Sequence, residues 1–134
     1  MNTNLTPPSN KALWAGRIIS ALPALFLLMD GGMKLAKPKV VVEATVQLGY
    51  SESVILPLGI VLLACTLLYV LPRTAMLGAI LLTGYLGGAV ATHVRVGAPV
   101  FNMIFPVIFG GLLWLGLFLR DPRLHSLIPL RTTE

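Results

Sequence analysis

Four long apolar runs set the pattern of the chain. The first extends from Ala12 to about Ala36, with Arg17 near its start and Asp30 and Lys34 near its end. The others cover about Val54 to Leu71, Arg73 to His93 or Val96, and Val100 to Leu119. Each approaches the roughly 20 residues that a helix needs to cross the hydrocarbon of a bilayer. The connection Leu71-Pro72-Arg73-Thr74 is so short that it forces the second and third runs into an antiparallel hairpin. Gly97-Ala98-Pro99 makes the next turn, and Arg120-Asp121-Pro122 stops the fourth run at the interface. Pro57 falls in a first turn, where a missing N–H costs little. Pro23 and Pro106 lie inside their runs and bend them.

The stretch Pro38 to Ser53 differs. Val40, Val41, Ala44 and Leu48 recur at spacings of three and four around Glu43 and Gln47, which predicts a short amphipathic helix on the membrane surface, ended by Gly49. The pattern therefore predicts an all-α fold: an integral membrane four-transmembrane-helix bundle over residues 11–120, with a short amphipathic surface helix between spans one and two. A flexible tail is expected over residues 1–10, around Pro7-Pro8, and a short basic tail over residues 121–134. A secretory signal peptide is the rival reading of the first run, with Ile18 to Met29 as its apolar region. It requires a small-residue cleavage site, and Asp30-Gly31-Gly32-Met33-Lys34 follows instead.

Composition sharpens this picture. Of 134 residues, 56% are hydrophobic and 11% charged, against about 45–50% and about 25% in soluble domains. Mean hydropathy is +0.86. These values argue against a soluble enzyme, and against disorder, which needs low hydrophobicity and high charge. The net charge of +5 comes from ten Lys/Arg and five Asp/Glu. The bases stand singly between apolar runs, with no stripe that would suit nucleic acid; their place is in loops, facing the bilayer headgroups. The side holding both termini has Lys11, Arg17, Arg73, Arg120, Arg123 and Arg131; the other has Lys34, Lys37, Lys39 and Arg95. That excess places both termini in the cytoplasm. The single cysteine, Cys65, rules out an internal disulfide, a CxxC pair or a multi-Cys metal site and reads as buried filler.

Ionisable groups at membrane depth are costly, so each one needs an explanation. Asp30 is twelve residues past Ile18, about 18 Å along a helix, and Lys34 follows at i+4 on the same face, the favourable order for an ion pair. One reading is a polar pocket in which Asp30 accepts a proton or binds a substrate group. The other is a structural pair, with Lys34 reaching toward the headgroups. Topology puts Asp30 and Lys34 at the same level as His93, Arg95 and Asn102, beneath the surface helix with Glu43. A convergent polar layer and ordinary interfacial polarity both fit. His93 is the group suited to titration near neutral pH. Asp30 and His93 are thus the catalytic candidates, and Lys34, Glu43, Tyr85, Arg95 and Asn102 the substrate-binding ones.

Span three carries Gly84, Gly88 and Thr92 on one row and Ala79, Thr83, Gly87 and Ala91 on the next. Such rows suit close helix packing inside the bundle, and equally contacts in a homo-oligomer. Tyr85 shares a face with Thr92; it either packs in the core or lines a cavity for an apolar ligand. Trp14 and Trp114 read as interfacial anchors. No haem or metal motif, phosphate loop or GxSxG occurs.

With these features in place, the chain resembles the DoxX-like family of small four-helix bacterial membrane proteins. The resemblance rests on LLMDGGMKLAKPKVVVEATVQLGY (Leu27 to Tyr50), LPRTAMLGAILLTGYLGGAVATHVRVG (Leu71 to Gly97) and LRDPRL (Leu119 to Leu124), within about Gly16 to Leu130. It implies a bacterial inner-membrane bundle. The wider grouping includes subunits associated with thiosulfate:quinone oxidoreduction and with oxidative-stress complexes, which makes quinone the cofactor to test. The positions that map onto the family's recurring pattern are Asp30, Lys34, Glu43, His93 and Arg95. Three functions compete: a small redox- or quinone-associated membrane subunit with a polar pocket opposite the termini; a non-catalytic partner or scaffold for another membrane or redox protein; and an enzyme or binder for a lipophilic small molecule.

Overall fold

The structure is a computed structural model that describes residues 5–128; the outer parts of both expected tails, 1–4 and 129–134, lie outside the described residues. The elements are α1 (Asn10–Ala36), α2 (Lys39–Gln47), a 3-10 turn (Glu52–Val54), α3 (Ile55–Val70), α4 (Ala75–Arg95), α5 (Val100–Arg120) and a second 3-10 turn (Pro122–Ser126). Four helices are long and apolar enough to cross a membrane, α3 counted with its 3-10 lead. Their outward faces carry apolar side chains such as Leu22, Leu25, Phe101 and Val107, as a lipid-facing surface requires. The fold is the expected four-span membrane bundle with a surface helix.

Local chemistry explains the boundaries. Ser9 Oγ accepts from the Ala12 N–H at 3.2 Å and caps α1. Lys37 takes a left-handed φ of 53° and donates its N–H to the Met33 carbonyl at 2.8 Å; Pro38 then bars continuation. α2 turns off at Gly49, whose φ of 92° suits glycine. In the hairpin between α3 and α4, the Thr74 hydroxyl donates to the Leu68 carbonyl at 2.7 Å. The C-terminal segment is more than a tail: Asp121 caps its 3-10 turn, accepting from the Arg123 backbone N–H and from its guanidinium at 2.8–3.0 Å, and Leu124 joins the core at 1% exposure.

α1 packs on α3 and α5, and α4 packs on the same two, so α1 and α4 face each other across the diagonal. Leu27, Leu62, Leu82, Leu113 and Leu117 fill the middle. Glycines decide how close the helices come. A Cβ on Gly78 would strike the backbone of Leu68 and Tyr69, and one on Gly116 would strike Ser20 and the Gly16 carbonyl. Gly31 and Gly59 bring α1 onto α3 in the same way. The row expected to pack closely does not: a Cβ on Gly84, Gly87 or Gly88 would meet nothing within 4 Å. Close packing is thus carried by isolated glycines on four helices, and the GxxxG of α4 borders open space.

Two outcomes follow. Gly78→Val lowers the thermal stability of the purified protein by about 3 kcal/mol or more, because backbone cannot yield as a side chain does, while Gly84→Ala leaves it unchanged or raises it by up to about 1 kcal/mol. Melting curves of both variants check this. The Arg123 side chain, hydrogen-bonded to Asp121, is the main cause holding that carboxyl below its ordinary pKa. A carboxyl depressed in the folded state adds stability above the unfolded pKa and loses it as pH falls through the folded one. Asp121→Asn therefore lowers the melting temperature at neutral pH, and the gap from wild type closes on acidification.

Candidate functional site

Glycines without neighbours leave room. A cavity of about 490 Å³ opens at the end of the bundle away from the termini, between α1, α4 and α5 and beneath α2. Its sides differ in chemistry. Its apolar lining is Phe26, Leu27 and Leu86, with Phe105, Pro106 and Phe109 along α5; Phe105 and Pro106 stand level with Asp30 by helix register. The rings of Phe26 and Phe109 meet edge to face at 4.8 Å, and Phe105 stands 4.5 Å from Phe109. Its polar lining is Asp30, Lys34, Tyr50, Tyr85, Thr92 and His93. Val41, Ala44, Thr45 and Leu48 of α2 form the cover.

The polar end is built from a few bonds. Lys34 Nζ donates to Asp30 Oδ2 at 2.7 Å. The Lys34 side chain is 14% exposed and that of Asp30 36%. The lysine stem passes close to Gly59 of α3, so the helix crossing there also holds the cation. Thr92 Oγ1 donates to the Gly88 carbonyl at 2.8 Å and sits 2.7 Å from the Tyr50 hydroxyl. With its one proton committed, Thr92 accepts from Tyr50, which ties the chain after α2 to α4. His93 Nδ1 lies 2.7 Å from the Ala89 carbonyl. A carbonyl only accepts, so Nδ1 carries the proton and Nε2 is the ring nitrogen left for a further partner.

Of the residues singled out in the sequence, Asp30, Lys34, Tyr85 and His93 line this one cavity. The other three stand apart. Glu43 is on the exposed face of α2, 3.8 Å from Lys39. Arg95 and Asn102 are exposed beside the rim and do not line the cavity. Topology brings Arg95 and Asn102 to this end of the bundle, where both are on exposed faces of their helices. Sequence reasoning missed Tyr50, Thr45 and the phenylalanines. Phe101, Phe105 and Phe109 recur at i, i+4, and that spacing was the available signal for an aromatic wall. Trp114 also departs from its expected role: its Nε1 donates to Thr83 Oγ1 at 2.7 Å across α4 and α5, whereas Trp14 is exposed with Arg17 over its ring at 5.1 Å.

The DoxX-like family matches residues 18–116, most of the chain and all four long helices. The chain belongs to the DoxX-like family. Comparison with curated proteins and with solved structures gives no match. In this DoxX-like protein the matched region includes every residue lining the cavity. Among the described residues no cluster of three or more His, Cys, Asp or Glu is arranged to hold a metal ion.

The Asp30–Lys34 pair makes a measurable prediction. Removing one member of a half-buried ion pair strands the other, whereas removing both does not, an effect weakened here by the exposure of Asp30. Asp30→Asn and Lys34→Met each destabilise the protein by about 1–3 kcal/mol, and the double variant costs less than the sum. A double-mutant cycle on melting temperatures checks this; additive losses would show that the two groups act independently.

Proposed function

We propose that this DoxX-like protein is a small membrane subunit that holds a quinone-type molecule in the cavity beneath α2. One observation carries the reading: a cavity of about 490 Å³ lined by phenylalanine rings on one side and by Asp30, Lys34, Tyr50, Tyr85, Thr92 and His93 on the other. Its size falls within the roughly 300–1,000 Å³ usual for small-molecule sites. The donor set suits the ligand class. Ring carbonyls accept hydrogen bonds, and the Tyr85 hydroxyl and the Lys34 ammonium have protons to offer them, while His93 Nε2 is an acceptor suited to a ring hydroxyl. The phenylalanines offer faces and edges to a flat ring. The resemblance to a grouping with quinone-linked members supports the same class.

A bound quinone supplies two-electron, two-proton chemistry. The chain's own residues bind and orient it. Tyr85 and Lys34 would donate to a carbonyl, Asp30 holds Lys34 in place, and His93 Nε2 would accept a hydrogen bond at the polar end. α2 limits water entry. Glu43, Arg95 and Asn102 flank the mouth and serve approach or partner contact. The protein sits in the bacterial cytoplasmic membrane with both termini in the cytoplasm, so the polar end faces the opposite side, where a redox partner docks.

The test is purification from native membranes in mild detergent, mass spectrometry of extracted small molecules, and titration with decyl-benzoquinone in nanodiscs. Bound quinone is expected, with Tyr85→Phe weakening binding of the oxidised probe about three- to tenfold, one hydrogen bond's worth, and His93→Gln weakening binding of the reduced probe. A ligand-free protein that ignores the probe and retains a second polypeptide would overturn the reading in favour of a scaffold subunit.

A further inference from the structure

A second hollow of about 260 Å³ lies beside the cavity, between α4 and α5 on the lipid side. Leu86 and Pro106 line both spaces. Both belong to the apolar lining of the cavity, so the hollow adjoins its apolar side. From Pro106 it follows α5 toward Trp114, about 12 Å along the helix at 1.5 Å per residue. Gly87 of α4 and Gly110 and Gly111 of α5 keep it open. A Cβ on Gly87 or Gly111 would meet nothing within 4 Å. The hollow asks for no polar ligand: Trp114 Nε1 donates to Thr83 Oγ1, and Thr83 donates to the Ala79 carbonyl.

We propose that this groove receives the hydrocarbon chain of the molecule whose polar head occupies the cavity. The natural ligand is then a chain-bearing, lipid-soluble compound, a ring with a prenyl or alkyl tail, rather than a free aromatic. The inference rests on the quinone-type reading of the cavity. Polarity sets the direction. A head held by Tyr85, His93 and the Asp30–Lys34 pair turns its other end toward Leu86 and Pro106, and the groove continues from those two residues into the bilayer. Hydrocarbon leaving there stays in lipid and gives up no hydrogen bond.

Trp114 reports on the groove. In a Trp14→Phe background it is the remaining tryptophan. The protein in nanodiscs is titrated with decyl-benzoquinone brominated on the outer half of its chain, and with the unbrominated compound to subtract quenching by the ring. Binding of a chainless tetra-substituted benzoquinone is followed in parallel. Expected is a saturable extra loss of Trp114 emission, reversed by excess chainless quinone. Gly87→Leu and Gly111→Leu, which add bulk from either wall at positions whose Cβ meets nothing within 4 Å, abolish that extra loss. Gly32→Leu, which adds the same bulk on a face outside both spaces, retains it. Chainless quinone binding without chain-dependent quenching would overturn the groove assignment while the cavity reading stands. Equal quenching by brominated phospholipid, not displaced by chainless quinone, would assign the groove to bulk lipid and overturn the inference. No binding of either quinone would remove both readings together.

Discussion

The Tyr69 hydroxyl fastens the bundle. Tyr69 is 1% exposed, and its oxygen lies 2.6 Å from the Leu113 carbonyl of α5 and 2.9 Å from Ser20 Oγ of α1. In lipid a buried polar group must find its partner within the protein, so this one hydroxyl commits three helices to a single arrangement. Everything near it is close-packed. Gly78 presses α4 onto the Tyr69 backbone, Gly116 presses α5 onto Ser20, and the Arg120 guanidinium lies 5.5 Å from the Tyr69 ring centroid. Contact of this kind, rather than apolar burial, drives association where the solvent is itself hydrocarbon.

Tightness at that end makes the opening at the other end possible. α1 and α3 stay together along their length, because Gly31 and Gly59 meet near the far side. The second half of α4 has no such seam on the cavity side: Gly84 and Gly88 face open space. Fastened at Tyr69 and Gly78, the helix can stand away from α1 without loosening the fold. The same residue type therefore does opposite work on α4, giving close approach at Gly78 and vacancy at Gly88. Aromatic rings at Phe26, Phe105 and Phe109 line the space instead of filling it. α2, tied to α4 through Tyr50 and Thr92, covers it.

How much of this was legible in the sequence depends on the kind of physics involved. Spans, hairpin and surface helix were, because hydrophobic runs of membrane length, a Pro-Arg loop and a three-four spacing are local signals. The Asp30–Lys34 pair was legible for the same reason: i, i+4 geometry is contained in one helix. The membrane level of His93 followed from topology alone. Which way α4 and α5 are rotated did not. Rotation depends on which glycines find a partner, and Gly78 and Gly88 look alike until Tyr69 is placed against one of them. Arg95 and Asn102 illustrate the consequence: both stand at this end of the bundle, on exposed faces rather than in the cavity lining. Leu124 was hidden for a related reason, since only the packed bundle offers the slot that draws the last turn inward.

The polar layer itself divides in two on electrostatic grounds. α1 and α4 both end at this level, and the C-terminal end of a helix favours cations. Lys34 stands in the last turn of α1, and His93 and Arg95 in the last turn of α4. Those three residues have a structural reason to be where they are, with or without a ligand. Asp30 has none. An acid toward the negative end of α1 gains nothing from the helix and is tolerated because Lys34 sits 2.7 Å away. Tyr85 is in the same position: it lines the cavity on a helix whose buried positions are leucine, alanine and glycine. Helix electrostatics accounts for the bases and leaves the acid and the phenol unexplained. Those two groups are the ones that helix electrostatics does not account for, and in the reading proposed above they are the ones that meet the ligand, with His93 at a place its helix end already favours.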